Sequence, residues 1–474
     1  MEQGNTRLSK CLLYPFILLI GFAGFSCNPA HQQEELVDVF IKPWADNPYY
    51  WEYKSQPVLL LGATDNDNLF QNKNLKSHLD SLQAIGGNYV RNTMSDRDTG
   101  DLRAFAQNEA GKYDLDKWNE RYWESFENLL KWAEERDIIV QIEIWDRFDH
   151  SRDEWITDPY NPKNNINYTY DEARLDSIYP DHPGSNKQPF FFTVPDLDNN
   201  EVLLAYQQAF VRKLLSISLK YGNVLYCIDN ETSGMEEWAV YWAGFVKEIA
   251  AEERIYITEM WDDWDVTSRM HKRTLDHPGR YDFIDIAQNS HKTGQENWDN
   301  AQYVFDYIKK NPRPVNSTKI YGSDAHEAWL FRGMTTKHAF DTFFRNILGG
   351  FASSRFHRPP HGLGMSELSI NAIKTIRKVE EKVKMWEVEP QMELLTDLSP
   401  NEAYVAAKAG EKYIVFFPQE GEVSLNMAEA SGNFELSWID ATTGEWLAVE
   451  EIAAGEISLS PPVDHGSIGV MVKK

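Results

Sequence analysis

The chain has 474 residues, 42% hydrophobic and 25% charged, which is a globular composition long enough for one large α/β domain and a small partner. Its formal net charge of −26 argues against nucleic acid as a partner, because phosphate binding needs clustered Lys and Arg. Aromatic residues make up 13% of the chain, with 16 Trp; most such residues build cores, but exposed Trp also stacks on sugar rings, so carbohydrate is an early candidate ligand.

Residues 1–27 read as a leader. Arg7 and Lys10 precede the apolar run "CLLYPFILLIGFAGF", and "GFSC" ends at Cys27. That run is shorter than the roughly 20 residues that cross a bilayer, so it reads as a secretory signal peptide. A Cys directly after small residues resembles a bacterial lipoprotein cleavage site, although Phe25 departs from it. The expectation is an exported chain, in the periplasm or at the cell surface, anchored to a bacterial membrane by a lipid on Cys27. Cys227 would then stand alone, with no disulfide framework available.

From about residue 57 to 390 a strand-then-helix rhythm repeats. The strand candidates are "PVLLLGATD", "GGNYVRNT", "IIVQIEIWD", "NVLYCIDNE", "IYITEMWDD", "YDFIDIAQNSH", "TKIYGSD" and "GGFASSRFHRP". Helical spacing fills the gaps, as in "ERYWESFENLLKWAEERD" and in "LLAYQQAFVRKLLSISLKYG", which ends on Gly222, a usual helix stop. Eight such units predict an α/β fold of the (β/α)8 TIM-barrel type over residues 28–390. A doubly wound open sheet is the runner-up, but no glycine-rich phosphate loop follows any strand. The connection from 146 to 196, rich in Asn, Pro, Asp and aromatics, is long enough to be functional. From about 391 to 474, short alternating strands broken by Gly, Pro, Asn and Asp predict a C-terminal antiparallel β-sandwich.

In such a barrel the active site lies at the carboxyl ends of the strands. Those ends offer Asp65 and Asp67, then Arg91, then Glu143, Trp145 and Asp146. Asp229, Asn230 and Glu231 follow, then Glu259, Trp261, Asp262 and Asp263. The last three ends bring Asn289 and His291, Asp324, His326 and Glu327, and Arg355, His357 and Arg358. Carboxylates, amides and Trp on one rim suit a polysaccharide or oligosaccharide. Glycoside hydrolysis needs one carboxylic acid and a second carboxylate. Glu231 is the candidate acid, just past a strand; the bland alternative is that it complements the positive end of the next helix, which Ser233 and Glu236 would open as a capping box.

Asn230-Glu231 at the fourth strand end resembles the signature of the clan A glycoside hydrolases, eight-stranded barrels that act with retention. The resemblance implies that Glu231 is the acid/base and that Asn230 binds a sugar hydroxyl. It further implies that Arg91 supports the catalytic carboxylate and that His291 falls where the clan has a His or Tyr. The strings "VQIEIWDRFD", "NVLYCIDNETS" and "ASSRFHRPP" are similar to exported bacterial cellulase-like barrels with a C-terminal collagen-binding-like domain. The clan nucleophile is a Glu ending the seventh strand. Here "KIYGSDAHEAW" has Asp324 at that point and Glu327 three residues later. Asp324 is favoured on position and Glu327 on residue type. A shorter Asp could widen the carboxylate gap from ~5 Å towards the ~6.5–9.5 Å of inverting enzymes, so the stereochemistry stays open.

Asn289 would join Arg91, Asn230 and His291 in orienting sugar and carboxylates. Trp145 and Trp261 would be stacking walls, and Asp146 and His326 would be further contacts. Arg355, His357, Arg358 and His361 put potentially cationic groups on the eighth loop. They would either hold an anionic glycan or neutralise rim carboxylates. "EMWDDWD" lacks a calcium-loop spacing, the histidines lack zinc spacing, and no Gly-x-Ser-x-Gly elbow occurs, so no metal and no cofactor is expected. The rival functions are a non-catalytic glycan-binding lipoprotein and a polysaccharide lyase.

Overall fold

The computed structural model describes residues 39–251 and 254–474; the leader and Cys27 lie outside the described residues. Eight strand–helix units follow in chain order. The strands are β1 (Leu60–Ala63), β2 (Tyr89–Thr93), β3 (Ile139–Asp146), β4 (Val224–Asn230), β5 (Ile257–Thr258), β6 (Ile284–Asp285), β7 (Val315–Asn316) and β8 (Ser353–Phe356). The helices after them are α1 (Leu75–Ala84), α2 (Glu120–Glu134), α3 (Glu201–Ser218), α4 (Glu236–Ala250), α5 (Arg269–Leu275), α6 (Gly294–Ile308), α7 (Thr336–Leu348) and α8 (Glu367–Glu380).

The strands are parallel and pair in three groups, β2-β3-β4-β5, β6-β7 and β8-β1. No single ladder runs through all eight. Backbone hydrogen bonds span the gaps: Asn88 N to Leu61 O (2.9 Å), Asp282 N to Ile257 O (2.8 Å) and Ala352 N to Val315 O (2.8 Å). Every residue of β1 to β8 is buried, which is why β1 and most of β4 read as apolar runs, while β2, β3 and β8 bury Arg91, Glu143 and Arg355 among their apolar residues. The helices bury one stripe each; in α2 it is Tyr122, Trp123, Phe126, Leu129, Leu130 and Ala133, at three- and four-residue spacing.

Three local expectations change. "PVLLLGATD" is two elements: Gln56–Val58 joins a hairpin with Trp51–Tyr53, and only Leu60–Ala63 enters a parallel ladder. That hairpin closes the amino-terminal end of the strands, with Trp51 fully buried beside Phe283 and donating from Nε1 to Asn316 Oδ1 at 3.0 Å. Gly222 is needed for close approach and not as a helix stop, since a Cβ there would sit 2.4 Å from Val39 O. The seventh strand begins at Val315, earlier than "TKIYGSD" implies, and beyond Asn316 only Ile320 makes a further bridge, to Phe356.

The C-terminal region holds two antiparallel sheets. The larger runs in the order Glu389–Pro390, β9 (Tyr404–Lys408), β10 (Lys412–Phe417), β12 (Ser467–Lys473), β11 (Asn433–Asp440), Trp446–Ala453. The smaller pairs Leu395–Thr396, Val423–Asn426 and Glu456–Leu459. Strand alternation divides the larger sheet between two cores. Val405, Val415, Phe417, Leu436 and Met471 face one apolar cluster with Val423 and Leu425 of the smaller sheet. Tyr404, Ala406, Ile414, Phe416 and Val470 join the main core instead, where Phe416 lies 5.0 Å from Phe344 of α7.

Candidate active site

The carboxyl ends of β1 to β8 surround a cavity of about 440 Å³. Its lining includes Asp67, Arg91, Arg97, Asn230, Glu231, Asp262, Trp264, Gln288, His291, Lys319, Tyr321, Trp329, His357 and Arg358. Phe148 and His182 of the long third connection complete one side. That connection is latched to the end of β4: Arg147 Nη2 donates to Asn186 Oδ1 (2.8 Å), and Asn186 Nδ2 donates to Ser233 O (2.6 Å). Ser233 therefore opens no capping box, and α4 starts after Met235 without a side-chain cap.

Glu231 is the centre of the site. Its backbone is left-handed, with φ +48°, a conformation that costs a residue with a Cβ about 1–2 kcal/mol. Strain of this kind is kept where the surroundings over-determine it. Three side chains hold the carboxylate: Lys319 Nζ at 3.0 Å, Gln288 Nε2 at 2.9 Å and the Tyr321 hydroxyl, which donates to Oε1. Burial raises the pKa of Glu231, but the Lys319 charge and the hydrogen bonds from Tyr321 and Lys319 outweigh it and bring it down to about 2. The side chain keeps 15% exposure towards the cavity.

Asn230 is committed within the protein. Its Oδ1 accepts from Arg91 Nη2 (2.9 Å) and from Lys319 Nζ, and its Nδ2 donates to Asp146 Oδ2 (2.9 Å). Arg91 grips both oxygens of Glu143 at 2.6 Å and also Asp67. Arg358 holds the other oxygen of Asp67, and Arg97 bridges Asp146 (2.6 Å) and Asp149 (2.5 Å). Burial raises the Asp67 pKa, yet Arg91, His357 and Arg358 hold it well below the usual range.

Asp262 is the second carboxylate near Glu231. The rung between Thr232 and Trp261, closed by Asp262 N to Thr232 O at 2.9 Å, sets it beside the β4 end. Among the described residues its carboxylate makes no hydrogen bond. Burial, then repulsion from Glu231, pushes its pKa up to about 6 against the pull of Lys319. An aromatic face rises next to it, with Trp264 stacked on His291 (4.2 Å) and His291 on Tyr321 (4.7 Å). Burial draws His291 down to about 3, so its imidazole is neutral.

Of the residues singled out in the sequence, the structure brings Arg91, Asn230, Glu231, His291 and His357 to the cavity, with Asp146 directly behind Asn230. It does not bring Asp324 or Glu327 there. Both are exposed, and Asp324 Oδ1 accepts from Thr336 N (3.1 Å) while Asp324 N donates to Thr336 Oγ1 (3.2 Å). This clasp closes the base of a segment carrying the short helix Glu327–Phe331. Trp145 is sealed among Phe190, Phe210, Trp238 and Trp242, and Trp261 is buried with its Nε1 on Thr274. Trp264, 37% exposed, is the indole at that rim. Asn289 Nδ2 donates to Asn297 O while Asn297 Nδ2 donates to Asn289 O, and Gln288 reaches the cavity in place of Asn289. Arg355 lies buried among the strands, on Thr318 O and Thr64 Oγ1. His326 stacks on Trp329 at the edge.

Lys319, Tyr321, Gln288, Trp264 and Trp329 were missed. The signal for the first two was the two-residue spacing of Lys319 and Tyr321 about Ile320 in "TKIY", which puts both side chains on one face at a strand end. Among the described residues no group of three or more His, Cys, Asp or Glu could hold a metal ion.

No protein-family model and no curated protein matches the sequence. Solved structures match in shape. A glycoside hydrolase family 5 structure from Bacteroides vulgatus aligns with a TM-score of 0.61 at 13% identity, over 92% of this chain and 94% of its own. The chain shares the fold of that hydrolase. A second structure, described as a glycoside hydrolase, gives 0.62 at 11% identity over 92% and 97%. At such identity the likeness concerns the fold, and the chemistry has to be argued from the side chains.

Proposed function

We propose that the eight strand–helix units act as a (β/α)8 barrel and that the cavity hydrolyses a glycosidic bond. One observation carries this reading: two carboxylates on one cavity have surroundings that push their pKa values apart, Glu231 to about 2 and Asp262 to about 6. Paired groups of this kind divide into base and acid. Asp262, protonated in mildly acidic solution, gives its proton to the leaving oxygen. Glu231, ionised throughout, attacks the anomeric carbon or takes a proton from water. The role that the family resemblance gives to Glu231, proton donor, is thus reversed, because Lys319 at 3.0 Å stabilises only its charged form. Tyr321 and Gln288 aim the carboxylate.

The same ion pair favours a second reading, a glycan-binding protein that does not turn over, since a carboxylate neutralised by its own protein is a weaker catalyst. A lyase is disfavoured: burial and then Glu231 push the Tyr321 hydroxyl well above its ordinary value, away from a working base. The test is to incubate wild type, Glu231→Gln and Asp262→Asn with plant and algal polysaccharides and measure reducing ends. Reducing ends that both substitutions abolish support hydrolysis. Binding without product supports the second reading, and ultraviolet-absorbing unsaturated ends would sink both. Export and a lipid on Cys27 rest on residues 1–27 alone, and loss of palmitate labelling in Cys27→Ala would support them.

A further inference from the structure

The cations of the cavity are already engaged. Arg91 is on Glu143 and Asp67, Arg97 on Asp146 and Asp149, Lys319 on Glu231, and Arg358 on Asp67. The guanidinium of Arg332 lies over the rings of Trp264 (4.7 Å) and Trp329 (5.4 Å). A uronate or sulfate would have to displace a carboxylate from Arg91, Arg97, Arg358 or Lys319, facing Asp67, Glu231 and Asp262 in doing so, or draw Arg332 off its two indole rings.

The opposite wall is in the reverse condition. Gln288 Oε1, His291 Nδ1 and Trp329 Nε1 are buried atoms with no hydrogen-bond partner among the described residues. A buried donor or acceptor left unmade is costly, so a cluster of three beside a cavity is a place where ligand groups complete the bonding. The three offer an amide acceptor, a neutral imidazole and an indole donor, which is the complement of neighbouring hydroxyl groups. Trp329 comes to this wall on the segment whose base is clasped by Asp324 and Thr336, with Gly322 (φ +132°) and Gly333 (φ +74°) at its turns.

We propose that Trp329, with Gln288 and His291, forms a hydroxyl-recognition wall that selects an uncharged sugar ring over a uronic or sulfated one, Trp329 acting as the specificity-determining donor. This rests on the proposed glycosidase reading of the same cavity, but it concerns binding and can be tested apart from turnover. The experiment is calorimetric titration of the purified full chain with neutral cello-, xylo- and manno-oligosaccharides, with oligogalacturonate, and with a sulfated oligosaccharide, repeated with Trp329→Phe. Phe keeps a ring against His326 and Arg332 but removes the N–H. The expected result is binding of at least one neutral oligosaccharide in preference to both anionic ones, weakened about tenfold in Trp329→Phe. Equal or tighter binding of an anionic oligosaccharide, unchanged affinity in Trp329→Phe, or no binding by any neutral oligosaccharide would overturn it. Selective neutral binding without any product would leave this inference standing and remove the hydrolase reading instead.

Discussion

The two walls of the cavity solve the problem of buried polarity in opposite ways. On the side of β1 to β3 and β8, the charges that line the cavity close on one another: Arg91 with Glu143 and Asp67, Arg358 with Asp67, Arg97 with Asp146 and Asp149. On the side of β5 to β7, among the described residues, the Asp262 carboxylate makes no hydrogen bond and the cavity-lining Gln288 Oε1, His291 Nδ1 and Trp329 Nε1 lack partners, while Glu231 is tied down by Lys319, Tyr321 and Gln288. A saturated network fixes shape but has little left to offer a ligand. An unsaturated one is costly unless something binds. The contrast separates scaffold from working surface within one pocket.

The strongest way to break this contrast is Glu231→Gln. The amide can still accept from Tyr321, so the fold is expected to hold, while turnover on any responsive glycan falls about 10²–10⁴-fold. A loss of folding without a selective loss of rate would place Glu231 with the scaffold. Next is Arg91→Met, which strands two buried carboxylates; about 3–5 kcal/mol of stability should go, read as a lower urea midpoint. If the midpoint stays put, the network is not what holds that wall.

A subtler test uses pH. With Asp262 at about 6, kcat/KM should be high below pH 6 and decline as the acid loses its proton above it, with no matching loss of Glu231's charge until about pH 2. In Asp262→Asn that alkaline limb should vanish together with most of the rate; a wild-type limb that persists unchanged in the variant would assign the titration elsewhere. The smallest effect expected is from Asp324→Asn. The amide oxygen still accepts from Thr336 N, so kcat should stay within about twofold. A nucleophile would not survive that change, and a thousandfold drop in steady-state assays would return Asp324 to the chemistry.

Much of this arrangement was legible in the chain and some of it was not. Short strand runs alternating with helical spacing are legible in sequence, so seven of the eight strands, and Asn230-Glu231 at the end of the fourth, lie within the runs read there, while the seventh, Val315–Asn316, lies just ahead of its run. The second carboxylate was harder. Counting to the end of "TKIYGSD" assumes regular pairing as far as Ser323, whereas the backbone bonds to β8 come from Ser317 and Ile320 with a break between them, and Lys319 and Tyr321 take the inward places. Trp145 and Trp261 show a related limit. Indole at a strand end can be lifted to the rim or folded back under a helix, and only the neighbours in space, here Trp238 and Thr274, decide it. Gln288 against Asn289 is a matter of one residue of register in a short 3₁₀ turn (Ala287–His291).

The alternation in β9 and β10 has its own consequence for how such a protein can be recombined. Because Val405 and Val415 belong to one core while Tyr404 and Phe416 belong to the other, the C-terminal sheet is a shared wall rather than an attachment. Cutting the chain near residue 390 would leave Phe344 and Trp298 facing water, since their ring partners Phe416 and Tyr404 would be gone. The sheet cannot be exchanged as a separate cassette without uncovering the face of α7 that it covers.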